Sequence, residues 1–287
     1  MSADRPAEPA ARHQQGLTVT VIVVLLLAAA AALIFGRGAT PQLRAVPHSS
    51  TSQIPVDTSP PIPVPFVSAQ QLAKLPAATT DATIAAAPHD AHRGDDTAGV
   101  VAHNRQPVAV FATAGARPFA RLPVTQLGAD TWLPVIGQQA GWVQVLLPSR
   151  PNGSTGWLST DQITLARSND EIRIHLGANQ LQLVRGGRIT GSWTVSTGTD
   201  RTPTPTGRTF LLAVIRDPQQ TSSPLIYTLG THSTALDTYA GGPGTVGIHT
   251  WPTASAPRAS HGCIRVPAAA LRAIAPVPLG SLIRIDR

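Results

Sequence analysis

From Asp170 onward, polar and apolar residues alternate with a period of two, a pattern that admits β-strands and little else. Glu171-Ile172-Arg173-Ile174-His175 shows it most clearly, with isoleucines on one face and polar groups on the other. Gln180–Val184 and Arg188–Val195 repeat it on either side of Gly186-Gly187, a dipeptide suited to the two-residue turn of a hairpin. Thr209–Ile215 and Leu282–Ile285 read as two further strands. Pro267–Ile274 is the one good helix candidate in this half, with proline at its first turn. Strands so rarely interrupted by helices predict an open sheet or sandwich of antiparallel strands, not an alternating βαβ fold.

A second β block precedes it. Val108–Phe111, Trp132–Ile136, Trp142–Leu146 and Gly156-Trp157-Leu158 read as short strands, and Asn152-Gly153 as a hairpin turn. Gly141-Trp142-Val143 and Gly156-Trp157-Leu158 resemble a bacterial SH3-like domain, over residues 106–167. The resemblance implies a small barrel that binds cell wall or peptide. The alternative is a packing spacer whose tryptophans serve the core.

The N-terminal part reads differently. Leu17–Phe35 carries no charge over about 19 residues, close to the ~20 that a helix needs to cross a bilayer core. The run has no clear cleavage site after its alanines, which favours an uncleaved anchor over a signal peptide. Residues 1–16 then form a cytoplasmic tail, and the bulk of the chain lies outside the membrane. Residues 36–105 are rich in Pro, Ala, Thr and Ser with no persistent apolar period, and are expected to be a disordered linker. A marginal helix is expected around Ser68–Leu75.

The formal charge is +7, and Lys74 is the only lysine, so arginine carries nearly all of the positive side. No basic cluster with interleaved aromatics appears, which argues against nucleic acid as a partner. The chain has one cysteine, so no internal disulfide and no multi-thiolate metal site can form. His89, His92 and His103 fall in the expected linker without metal-ligand spacing; no metal or cofactor is expected. His175 and His232 read as structural histidines.

That cysteine, Cys263, lies in Ser260-His261-Gly262-Cys263-Ile264-Arg265. A thiol beside an imidazole on a glycine turn suits a nucleophile, because the attacking species is the thiolate. Its polar, turn-forming flanks argue against a buried structural cysteine. A second imidazole, His249, ends the apolar stretch Gly247-Ile248-His249.

With Thr204-Pro205-Thr206-Gly207 ahead of them, these two segments make residues 168–287 resemble the YkuD-type L,D-transpeptidase catalytic domain, a β-sandwich that remodels peptidoglycan. The resemblance implies that Cys263 attacks the diaminopimelate carbonyl of a tetrapeptide stem, that D-alanine leaves, and that a second stem's amine resolves the thioester into a 3→3 cross-link. It implies His249 as the proton acceptor, oriented by the backbone carbonyl of Thr250. Gly262 and Cys263 would supply oxyanion N–H donors, and Gly262 would let the backbone approach the substrate. Arg265 would bind a stem carboxylate, or make a local ion pair. Ser260 fixes the turn, and His261 supports either the thiolate, the oxyanion site or the turn. Tyr239 and Trp251 line the cleft or pack.

Two departures from the family pattern stand out. Thr250 replaces the usual glycine after the histidine, and the stretch from His249 to Ser260 is a few residues short. Three functions follow from this reading: a transpeptidase, an L,D-carboxypeptidase in which water resolves the thioester, or a catalytically idle wall-binding protein. The expected site is the cell membrane, with the catalytic domain facing the wall.

Overall fold

The computed structural model describes residues 60, 62–216, 223–239, 241–251 and 256–287. The Leu17–Phe35 run lies outside them. Among the described residues, no helix is long and apolar enough to cross a membrane.

The fold is mainly β. A short helix, α1 (Ala69–Lys74), precedes the strands; Ser68 caps it, and Gln71 completes a reciprocal capping box. Nine strands follow: β1 (Val100–His103), β2 (Val108–Phe111), β3 (Pro118–Leu122), β4 (Thr125–Gln126), β5 (Ala129–Asp130), β6 (Trp132–Gln139), β7 (Trp142–Leu146), β8 (Thr155–Ser159) and β9 (Thr164–Arg167). Seven of them form one antiparallel sheet in the order β3-β2-β8-β7-β6-β1-β9, while β4 and β5 make a separate small hairpin.

The C-terminal half holds β10 (Asp170–His175), β11 (Gln180–Arg185), β12 (Arg188–Thr194), β13 (Thr197–Gly198), β14 (Gly207–Arg216), β15 (Leu225–His232), β16 (Thr245–His249), β17 (Arg258–Ser260), β18 (Ile264–Arg265), α2 (Ala268–Ile274) and β19 (Leu282–Asp286). Eight strands form a sheet in the order β12-β11-β10-β19-β14-β15-β16-β18. The expectation of antiparallel pairing holds for most neighbours. It fails at β10–β19 and β16–β18, which run parallel because the chain returns through α2 and through the β17 segment instead of by hairpins. Gly186 and Gly187 both have positive φ and close the β11–β12 hairpin as predicted. Pro267 sits one position earlier than expected, as the extended N-cap residue of α2. Ala270, Leu271 and Ile274 bury the inner face of that helix among Ile172, Leu181, Leu229, Ile248 and Ile264.

Strand β14 joins the two halves. Leu211 faces the C-terminal core, whereas Phe210 and Leu212 pack with Val110, Leu133, Val145 and Leu158 of the preceding sheet. A strand covered on both faces reads as a continuous apolar run, which is what Phe210-Leu211-Leu212-Ala213-Val214 is.

The expected linker needs correction over its second half. Ala78, Ile84 and Ala87 are buried in the same core as Val110 and Phe210, and residues 100–103 are strand β1. Asp90 meets Arg208 of β14 in a two-pronged ion pair, at 2.6 and 2.8 Å, with both side chains only 2% exposed. His103 belongs to β1, and its ring stacks on Trp132 at 4.6 Å. An irregular segment threaded between two layers buries residues singly, so it shows no apolar period to find.

Asn152-Gly153 lies in the turn that joins the antiparallel strands β7 and β8, as expected, and the Asn152 side chain has a second use. Its amide donates to the His232 carbonyl (2.7 Å) and accepts from the His232 N–H (2.8 Å), imitating a strand partner at the end of β15.

Candidate active site

The last residues of β16 and the turn between β17 and β18 meet because β16 and β18 pair in parallel, Ile248 with Ile264 and His249 with Arg265. That register brings His249 and Cys263 to one cleft of about 320 Å³, also lined by Ser260, His261, Arg265, Tyr239 and Trp251.

The Cys263 turn is held from beneath. Ser260 Oγ donates to the Cys263 carbonyl (2.6 Å) and accepts from the Gly262 N–H (3.1 Å). Thr204 Oγ1 donates to the Gly262 carbonyl (2.8 Å) and accepts from the Gly198 N–H (2.9 Å). Thr202 Oγ1 donates to the Ser260 carbonyl (3.1 Å). Gly262 has φ +117°, a value that L side chains rarely adopt. The glycine therefore serves the turn's conformation, and a Cβ there would meet no atom closer than 3.5 Å. Its N–H, expected at the oxyanion site, is engaged by Ser260 instead.

The thiol is half-buried, more covered than its polar flanks suggested. Burial pushes its pKa up, opposed by a backbone hydrogen bond at Gly247 and by the Arg265 charge. His249 moves the other way: burial pushes its pKa down, the hydrogen bond to Thr250 opposes this, and the Arg265 charge lowers it further. Near neutral pH both shifts favour the uncharged thiol and the uncharged imidazole. His249 Nδ1 donates to the Thr250 carbonyl at 2.7 Å. A carbonyl only accepts, so the proton sits on Nδ1 and the lone pair on Nε2. The Thr250 N–H in turn donates to the buried Ser223 Oγ (3.0 Å), a support with no local sequence signal.

Arg265 makes no ion pair among the described residues. Its guanidinium lies 3.7 Å over the Trp251 ring, and Nη1 donates to the Ala259 carbonyl at 3.2 Å. Among the described residues, its buried Nε has no hydrogen-bond partner. Trp251 also meets the His249 ring edge-on at 6.0 Å, and Tyr239 meets His261 at 5.4 Å. Both aromatics are about half exposed, so they line the cleft and are not core. His261 is exposed at the rim. His232 and His175 lie elsewhere, bonded to Thr80 and Asp286 respectively. Among the described residues, no cluster could hold a metal ion.

Residues 169–285 match the YkuD family model, described as an L,D-transpeptidase catalytic domain. Among solved structures, the chain is similar to L,D-transpeptidase 1 of Mycobacterium tuberculosis, with 17% identity over 46% of this chain and 78% of that one (TM-score 0.31). It is similar to an L,D-transpeptidase of Mycobacterium smegmatis at 15%, over 54% and 99% (TM-score 0.34). A mutant L,D-transpeptidase of Enterococcus faecium gives 14%, over 56% and 72% (TM-score 0.34). No curated protein matches the chain. Residues 100–167 lie outside the family match, so their SH3-like character stays a resemblance. Over residues 169–285 the chain is thus similar to a YkuD-type L,D-transpeptidase catalytic domain.

Proposed function

We propose that this domain acylates Cys263 with a peptidoglycan tetrapeptide stem and passes the acyl group to the amine of a second stem, giving a 3→3 cross-link. The observation that carries the reading is the shared cleft of Cys263 and an imidazole whose Nδ1 is tied to the Thr250 carbonyl.

In the first half-reaction the thiol proton passes to His249 Nε2 as sulfur attacks the carbonyl of the third stem residue. The carbonyl electron pair moves to oxygen. With the Gly262 N–H engaged, we assign the Cys263 N–H as its donor. Collapse of the adduct breaks the C–N bond; the proton on Nε2 goes to the departing D-alanine amine, and a thioester remains. The acceptor amine then attacks the thioester, His249 takes its proton, and that proton returns to the leaving sulfur. Arg265, which lines the cleft and makes no ion pair among the described residues, suits a stem carboxylate. The uncharged run Leu17–Phe35 supports a membrane-tethered protein working on the outer side.

Intact-mass measurement tests the reading. Incubation with a disaccharide-tetrapeptide should add one stem less D-alanine to the chain, and a Cys263→Ala variant should gain nothing. Added acceptor stem should discharge the adduct into a dimer; discharge to trimmed stem alone would replace transpeptidation with hydrolysis. A donor adduct on the alanine variant would remove Cys263 from the mechanism.

A further inference from the structure

One wall of the cleft does not come from the YkuD domain. Leu127, at the tip of the separate β4–β5 hairpin that precedes the YkuD-like residues, lines the same cavity as His249 and Cys263, together with Ile215 and Ile226. Leu127 has φ +50° and Gly128 φ +80°, the pattern of a two-residue turn that favours Asn-Gly. A leucine in this conformation is held against its own preference, and such outliers gather where a side chain is needed for binding. Leu127 is also 41% exposed, so burial in the core does not explain it. It joins Ile215, Tyr239 and Trp251, three more exposed large apolar residues on the same cleft. Apolar groups so concentrated around one opening mark a binding surface, not scatter.

The hairpin is fixed in place. The buried Gln126 donates its amide to the Ala78 carbonyl (2.9 Å), and the Thr131 N–H donates to the Val124 carbonyl (2.8 Å) at the hairpin's base. Strand β5 lies against β14, whose end carries Ile215. The tip thus stands opposite the catalytic turn on a rigid support.

We infer that Leu127 is a specificity-determining residue of the acyl-transfer site, packing on the aliphatic part of the donor stem peptide while Cys263 engages its carbonyl. This rests on the transpeptidase reading and adds to it: the residues before the catalytic domain complete the substrate site. The β module then does more than space the domain from its tether.

The test compares Leu127→Asn and Leu127→Met in the full-length chain. Asn-Gly suits the turn, so Leu127→Asn should unfold at the same temperature or higher. It should nevertheless raise KM for the disaccharide-tetrapeptide about tenfold, the scale of losing an alkyl contact in a pocket. The effect should fall on KM far more than on kcat. Affinity for the same donor should fall equally when measured on Cys263→Ser protein. Leu127→Met, which restores an apolar wall, should return KM close to the parent value. An unchanged KM and affinity in Leu127→Asn would overturn the inference and leave the transpeptidase reading standing. A parent chain that takes no acyl group from this donor would overturn both.

Discussion

Arg265 sets the charge balance of the site at the level of single residues. Its cation acts on both groups that we propose to react, adding to the burial that lowers the pKa of His249 and opposing the rise of Cys263. Since burial also pushes the imidazole down, His249 holds its base form to a pH below the ordinary imidazole value. The acylation rate should therefore stay level as pH falls from neutrality and drop only below about 6.5. Direct alkylation of the thiol, which needs thiolate without help from a base, should rise only above the ordinary thiol range. Arg265→Gln removes the cation. It should raise the acid limb of acylation and carry thiol alkylation to still higher pH. Stopped-flow acylation and iodoacetamide labelling across pH, on both proteins, check this; an acid limb that does not move on substitution would show that Arg265 does not tune His249.

At the level of elements, the Cys263 turn depends on the loop before β14. Thr204 Oγ1 stands between the Gly198 N–H and the Gly262 carbonyl, buried among them. Thr204→Val keeps the shape and removes the hydroxyl, leaving a buried donor and a buried acceptor unpaired. The cost should be about 1–3 kcal/mol of unfolding free energy. Acylation should slow as well, because the turn that presents the thiol loses its brace. Denaturant unfolding and donor acylation of the same variant check both; full stability would show that another group takes over the two partners. Much of this region was legible. Period-two alternation found β10, β11 and β12, a glycine pair found the β11–β12 hairpin, and the short motifs singled out Cys263 and His249, which line one cleft. What escaped was set by tertiary contact. Nothing local distinguishes Ser223 from any other serine, yet it holds Thr250. Asn152-Gly153 carries the letters of a turn while its side chain docks one sheet end onto another. Leu127 carries no local signal of a site, because its surroundings lie across the cleft.

The whole molecule depends on a seam that composition concealed. Residues 78–103, low in apolar periodicity, close the core between the two sheets and fix Asp90 on Arg208. His232 lies at the same seam, 1% exposed, with its Nε2 2.7 Å from the Thr80 carbonyl. Burial first, and the Arg150 charge second, push its pKa down to about 4. The unfolded chain binds a proton at this imidazole below about 6.5, and the native chain does not until about 4, so stability is full above 6.5 and falls between the two values. The loss is on the order of 3 kcal/mol from this one group. His249, also lowered, adds in the same direction, starting from the same upper bound. Asp90 acts later: burial pushes its pKa up, but the Arg208 hydrogen bonds and the His92 N–H outweigh this, so its contribution is lost only at still lower pH. Urea unfolding should therefore show a level free energy from pH 7.5 to about 6.5 and a fall from there to about 4. His232→Gln should start lower, because the Thr80 and Asn152 contacts change, and should fall less steeply. Parallel pH slopes in the two proteins would show that His232 does not carry the pH dependence of this seam.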